Sequence, residues 1–180
     1  MESNKKIGID VGGSHVTVSV FENNSAEKQS QVVIRKEINS KENPLAIISD
    51  IGSCITEVLI GGTTVDAVGI AFPGPFNYEK GVSEIIGVGG KFEQTFGVHV
   101  QQALKNFTGL VDTPFVFAND AHCFAEGAYF RHHLKSKRTV FLTLGTGFGS
   151  AFMIDGDLVE KHSDVPENGV FYDKPFRGTI

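Results

Sequence analysis

The sequence predicts an α/β protein with mixed sheets in two lobes, and three observations carry that expectation. Ile7 to Phe21 and Phe141 to Ile154 share one plan: an apolar strand, a glycine turn and a second apolar strand. An internal echo of this kind points to two related units, one in each lobe. Between the copies, Leu45, Ile48, Ile51, Ile55 and Leu59 recur at helical spacing, so one face of that segment is apolar. Short apolar runs at Val65 to Phe72 and Phe115 to Ala118 supply further buried strands. The divide is expected near residue 119, with residues 1–118 forming the first lobe and 119–180 beginning the second.

Each element has a local reason. Ile7 to Val11 is a buried strand, and Gly12-Gly13-Ser14 turns the chain. Val16, Val18 and Val20 then alternate with Thr17, Ser19 and Phe21, the period of a returning strand. Glu22 to Ser30 is polar and turn-like, and Gln31 to Ile38 is a third strand. Asn43 caps a helix that begins with Pro44, and Gly61-Gly62 stops it. The strand 65–72 runs into Pro73-Gly74-Pro75, a rigid loop. Residues 76–98 hold five glycines, at 81, 87, 89, 90 and 97, with little periodicity. They read as a long loop with a short hairpin, and loops of this length usually carry function or lack order. Val100 to Phe107 is a short helix. After the strand 115–118, Ala121, Phe124, Ala125, Ala128 and Tyr129 form the inner face of another helix. Thr139 to Leu144 is a strand, Gly145-Thr146-Gly147-Phe148-Gly149 a glycine-rich turn, and Ala151 to Ile154 the return. Asp155-Gly156 then signals a hairpin.

Composition narrows the function. A net charge of −5 argues against nucleic acid and anionic membranes as partners. The basic cluster Arg131, His132, His133, Lys135, Lys137 and Arg138 suits a helix C-terminus and a solvated loop. Two cysteines, Cys54 and Cys123, form no CxxC pair and no disulfide framework. No signal peptide precedes the first strand, and no run approaches the ~18 apolar residues of a membrane helix. A cytoplasmic location with reduced thiols is expected.

The chemistry gathers at strand ends. Neither glycine turn is a Walker loop, because no Gly-Lys-Ser/Thr follows, and neither is a dinucleotide fingerprint, because a strand follows. Each could be an ordinary tight hairpin. Each could also bind phosphate, since glycine lets backbone N–H groups converge on an anion without net positive charge. Asp10 ends an apolar strand just ahead of Gly12. It could satisfy turn N–H groups or stand near Mg²⁺, a hard cation that favours oxygen ligands and keeps waters. Asn119-Asp120 follows a strand and opens a helix. The pair could cap that helix, or Asp120 could accept a hydroxyl proton as a general base on the usual ligand side of an α/β sheet.

Four motifs occur in order: Asp10-Val-Gly-Gly-Ser14, Gly69-Ile-Ala-Phe-Pro-Gly-Pro75, Phe117-Ala-Asn-Asp-Ala121 and Leu144-Gly-Thr-Gly-Phe-Gly149. Together they resemble the ROK family (repressors, open reading frames, kinases), which includes bacterial glucokinases, fructokinases and N-acetylhexosamine kinases. The resemblance implies an actin-like, ribonuclease H-like α/β fold with two lobes. It implies ATP-dependent phosphorylation of a hexose or hexose derivative. Asp120 would be the catalytic base and Asn119 a sugar ligand, with Gly74 in a loop beside the sugar and Glu167 a further sugar contact. Gly12, Gly13 and Ser14, with Gly145, Thr146 and Gly147, would face the ATP phosphates. Asp10 would organise Mg²⁺ through water. Homodimers are common in such kinases, so self-association is left open.

The departures matter too. The family's Glu-x-Gly-His reads Glu167-Asn-Gly-Val170 here, so its histidine is missing, and the cysteine-rich zinc segment is absent through residue 180. No structural zinc is expected. The segment Ile85 to Phe92 lacks an asparagine expected on the sugar side. Members of the family are longer, so the second lobe is expected to be incomplete and the chain truncated. Two other classes stay in view. One is a non-catalytic sugar-binding module. The other is a sugar-responsive regulator, disfavoured because the first strand begins at residue 5 and leaves no room for a helix-turn-helix.

Overall fold

The computed structural model of the chain describes residues 5–22, 31–87, 89–144 and 148–166. Two compact units divide at Asp120/Ala121.

The first unit is a five-stranded mixed sheet with helices on one face. Its strands are β1 (Lys5–Val11), β2 (His15–Glu22), β3 (Gln31–Glu37), β4 (Ala67–Phe72) and β7 (Phe115–Asn119), in the order β3-β2-β1-β4-β7. The glycine turn joins β1 and β2 antiparallel, with Val11 opposite Val16. The pairs β1–β4 and β4–β7 are parallel, which requires crossover connections. Helices α1 (Pro44–Val58) and α2 (Val100–Thr108) supply them. Asn43 caps α1 through its side chain, which accepts from Ala46 N at 3.1 Å. Gly109, at φ 75°, ends α2, a left-handed cap that glycine adopts without strain.

Alternation along the strands sets the core. Ile7, Ile9 and Val11 of β1, Val16 and Val18 of β2, and Val68, Ile70 and Phe72 of β4 are buried in one cluster with Ile47, Ile51 and Ile55 of α1. Each such side chain contributes about 1.5–3 kcal/mol relative to exposure. The other sheet face carries Gly8, Asp10, Thr17, Gly69, Ala71 and Ala118, which are small or polar and none of them buried.

The apolar stripe of α1 differs in one place from the sequence expectation. Leu45 is 81% exposed, whereas Ile47 is buried. At 3.6 residues per turn Leu45 lies about 120° around the helix from Ile51, the centre of the buried face. The long segment 76–98 is packed rather than loose. Strands β5 (Phe76–Asn77) and β6 (Val82–Ser83) form a small hairpin, and Glu93–Thr95 is a 3₁₀ turn. The buried hydroxyls of Ser83 and Thr95 bond at 2.8 Å. The rings of Phe92 and Phe76 pack at a tilt against Phe72.

The second unit holds α3 from Ala121 onward (the helix spans Asp120–Arg131) and the antiparallel sheet β10-β9-β8, where β8 is Arg138–Leu144, β9 Phe148–Ile154 and β10 Asp157–Leu158. Ala125, Ala151 and Met153 form its small core, with Tyr129 and Phe141 against it. Phe124, expected on the inner face of α3, is 52% exposed. It sits at the rim of that face and meets Phe141 edge-on at 6.4 Å. Among the described residues no helix is long and apolar enough to cross a membrane.

Candidate functional site

The register of the three parallel strands assembles the site. Asp10 pairs with Ala71, Ala71 with Ala118, and Phe72 with Asn119. The residues that follow therefore leave the sheet along one carboxyl edge. These are Gly12 to Ser14, the loop at Gly74, and Asp120. Open α/β sheets bind ligands at this edge, because the chain there is free of ladder hydrogen bonds.

The glycine turn is stitched from several sides. Gly12 N donates to His15 O at 2.8 Å, and Ile38 N to Ser14 O at 2.9 Å. The Ser40 hydroxyl, only 2% exposed as a residue, donates to Gly13 O at 2.6 Å. Ser40 O in turn accepts from Phe92 N at 2.6 Å. Gly13 lies against the Lys91 side chain, whose Cδ and Nζ are 3.1 Å from where a Cβ on Gly13 would stand. Ser14 is exposed, with its hydroxyl 2.9 Å from His15 Nδ1.

Asn119 ends β7 on the helix-covered side, in line with Phe115 and Phe117. Its Nδ2 donates to the Tyr78 hydroxyl at 3.2 Å, and that hydroxyl donates to Phe72 O at 3.1 Å. The amide plane is thus oriented by an anchored phenol. Gly74 lies against the same pair. A Cβ there would stand 3.2 Å from the Tyr78 hydroxyl and 3.8 Å from Asn119 Nδ2. The Gly74–Pro75 peptide is cis. Asp120, the first residue of α3, is exposed.

Asp10 lies on the open face, in one cross-strand row with Thr17 and Arg35. It keeps a side open to solvent, yet enough protein surrounds the carboxylate to desolvate it. Burial pushes its carboxyl above the ordinary value, the Asp120 carboxylate pushes the same way, and the Arg35 guanidinium pulls it partly back. The two carboxylates are therefore close enough to feel each other. Such an oxygen-only, partly desolvated pair fits a hard divalent cation that keeps waters. No group of three His, Cys, Asp or Glu that could hold a metal occurs among the described residues.

The structure thus brings together Asp10, Gly12, Gly13, Ser14, Gly74, Asn119 and Asp120. Gly145, Thr146, Gly147 and Glu167 lie outside the described residues. The flanks of the second glycine turn do pair, Thr143 with Gly149 and Leu144 with Phe148. Tyr78 and Ser40 carry no motif in the sequence. A lone tyrosine in a glycine-rich stretch and a serine before a helix gave no signal of their contacts.

Residues 6–169 match the family model described as the ROK family. An N-acetyl-D-glucosamine kinase from Aliivibrio fischeri is 28% identical over 162 residues, covering 88% of this chain and 49% of that protein. The chain spans about half the length of the curated relatives it matches. Among solved structures, the inorganic polyphosphate/ATP-glucomannokinase from Arthrobacter superimposes with a TM-score of 0.68 at 22% identity, covering 94% of this chain and 67% of that one. The ROK hexokinase from Thermus thermophilus gives 0.64 at 20%, covering 92% and 50%. Both share the mixed α/β architecture.

Proposed function

The chain belongs to the ROK family, and from that membership we propose that it carries the acceptor and phosphate-turn half of a kinase acting on a hexose or N-acetylhexosamine. The observation that carries this reading is the common edge of β1, β4 and β7, where a glycine turn, the Gly74 loop and Asn119-Asp120 emerge together.

Each group has a role there. Asn119, steadied by Tyr78, hydrogen-bonds a sugar hydroxyl. Asp120, exposed at the helix start, accepts the proton of the hydroxyl that reacts. As that oxygen bonds to the γ-phosphorus, the bond from the γ-phosphorus to the bridging oxygen breaks and ADP leaves. The turn Gly12 to Ser14 offers backbone N–H groups to the phosphate oxygens. By the family motifs, Gly145, Thr146 and Gly147 would bind phosphate, and Glu167 sugar. Asp10 would hold a magnesium ion through its waters, and that ion would neutralise charge on the phosphates. Most of the acceleration then comes from positioning and charge stabilisation.

An assay with Mg-ATP, or polyphosphate as a second donor, across glucose, mannose, fructose and the N-acetylhexosamines tests this reading. Formation of one sugar phosphate would support it and name the substrate. Sugar binding without any turnover would replace it with the reading of a non-catalytic sugar-binding module. That alternative draws on the half-length coverage of the relatives.

A further inference from the structure

We propose that Lys91 is the cationic contact for the terminal phosphoryl group of the donor, a role that rests on the phosphate-turn reading above and deepens it. The Lys91 side chain lies along the turn between β1 and β2. Its Nζ and Cδ are both 3.1 Å from where a Cβ on Gly13 would stand, so the lysine rests directly against the glycine turn. The placement is built rather than incidental. Ser40 ties the turn to the residue after Lys91, its hydroxyl donating to Gly13 O and its carbonyl accepting from Phe92 N. The neighbouring Phe92 is 2% exposed and anchored in the aromatic core. Lys91 as a residue is half-buried. Among the described residues it has no hydrogen bond and no ion pair to neutralise it.

The charge balance of the edge calls for such a group. Asp10 and Asp120 place two carboxylates beside the turn, and the chain as a whole is −5. A polyphosphate arriving there meets the repulsion of both carboxylates, which a further cation at the turn would offset. An ammonium is a compact charge with three donors, suited to a tetrahedral phosphoryl group whose oxygens shift during transfer. Lys41, whose Nζ is 3.9 Å from a Cβ position on Gly90, is a second cation on the neighbouring loop and a natural comparison.

The test is calorimetric titration of the chain with magnesium tripolyphosphate, a donor mimic without a nucleoside. Lys91→Met is expected to weaken binding about tenfold or more, as for loss of one charge-assisted contact, with an unchanged melting temperature and unchanged hexose binding. Lys91→Arg is expected to restore most of the affinity, and Lys41→Met to have a smaller effect. Equal tripolyphosphate binding by Lys91→Met and the parent chain would overturn the inference and leave the kinase reading standing. A Lys91→Met defect confined to hexose binding would overturn the assignment to the donor. A folded parent chain that binds hexose but no tripolyphosphate would overturn both this inference and the phosphate-turn reading.

Discussion

The two strand-turn-strand units are built on one plan and end in different states. In the first, Ile7, Ile9 and Val11 of β1 are at most 3% exposed, because α1 covers them. In the second, Val140, Leu142 and Leu144 alternate along β8 in the same way and are 49–84% exposed. Alternation decides which side chains share a face, but only a covering layer decides whether that face is a core. The hairpin supplies a place for a glycine turn. The packing behind it fixes the turn in position, as Ser40 does for Gly13.

The largest expected effect breaks the better-covered unit. Ile51, fully buried in α1, is expected to lose about 2–5 kcal/mol on replacement by alanine, read as a fall in the urea midpoint by circular dichroism. Next comes the turn itself. Ser40→Ala leaves the Gly13 carbonyl without its hydroxyl donor, at a cost of about 1–3 kcal/mol, and faster amide exchange at Gly12 would register the loosening.

A smaller effect, with a sign, comes from Asp10. Its carboxyl is raised by burial and by Asp120, so the fold disfavours the ionised form. Its relative stabilisation is complete below the ordinary carboxylate value and is lost as pH rises through the raised one. Asp10→Asn is therefore expected to melt higher than the parent at neutral pH without magnesium. The gap should close as the pH falls through the carboxylate range. A gap that widens toward acid would reverse the sign. The smallest effect sharpens the contrast between the units. Leu142→Ser in β8 should change stability by no more than about 0.5 kcal/mol, although the same change at Ile9 would be severe.

Legibility in the sequence followed the same physics. Strands and helices with a clear period were readable, from Ile7 to Val11 through to the Asp155-Gly156 turn, because one apolar face repeats. Asp10, Gly12, Asn119 and Asp120 stand out in the sequence because each breaks an apolar run at a strand end, whereas Gly74 became a candidate through the family motif Gly69 to Pro75. Leu45 and Phe124 misled, since the width of a buried face depends on what packs against it. The short hairpin expected within residues 76–98 is present at Phe76–Asn77 and Val82–Ser83, although strands of two residues show no period that could have placed it. Tyr78, Ser40 and Lys91 act through contacts between residues distant in the chain, and no local pattern encodes those.

Asp120, proposed as the base at the shared edge of β1, β4 and β7, is open to a direct test. The direct measurement compares the hexose phosphorylation rate of the parent chain with that of Asp120→Asn, alongside calorimetric hexose binding. The account predicts a fall in kcat of about 10²–10⁴-fold with hexose binding largely retained and the fold intact. Turnover that survives the substitution would contradict it.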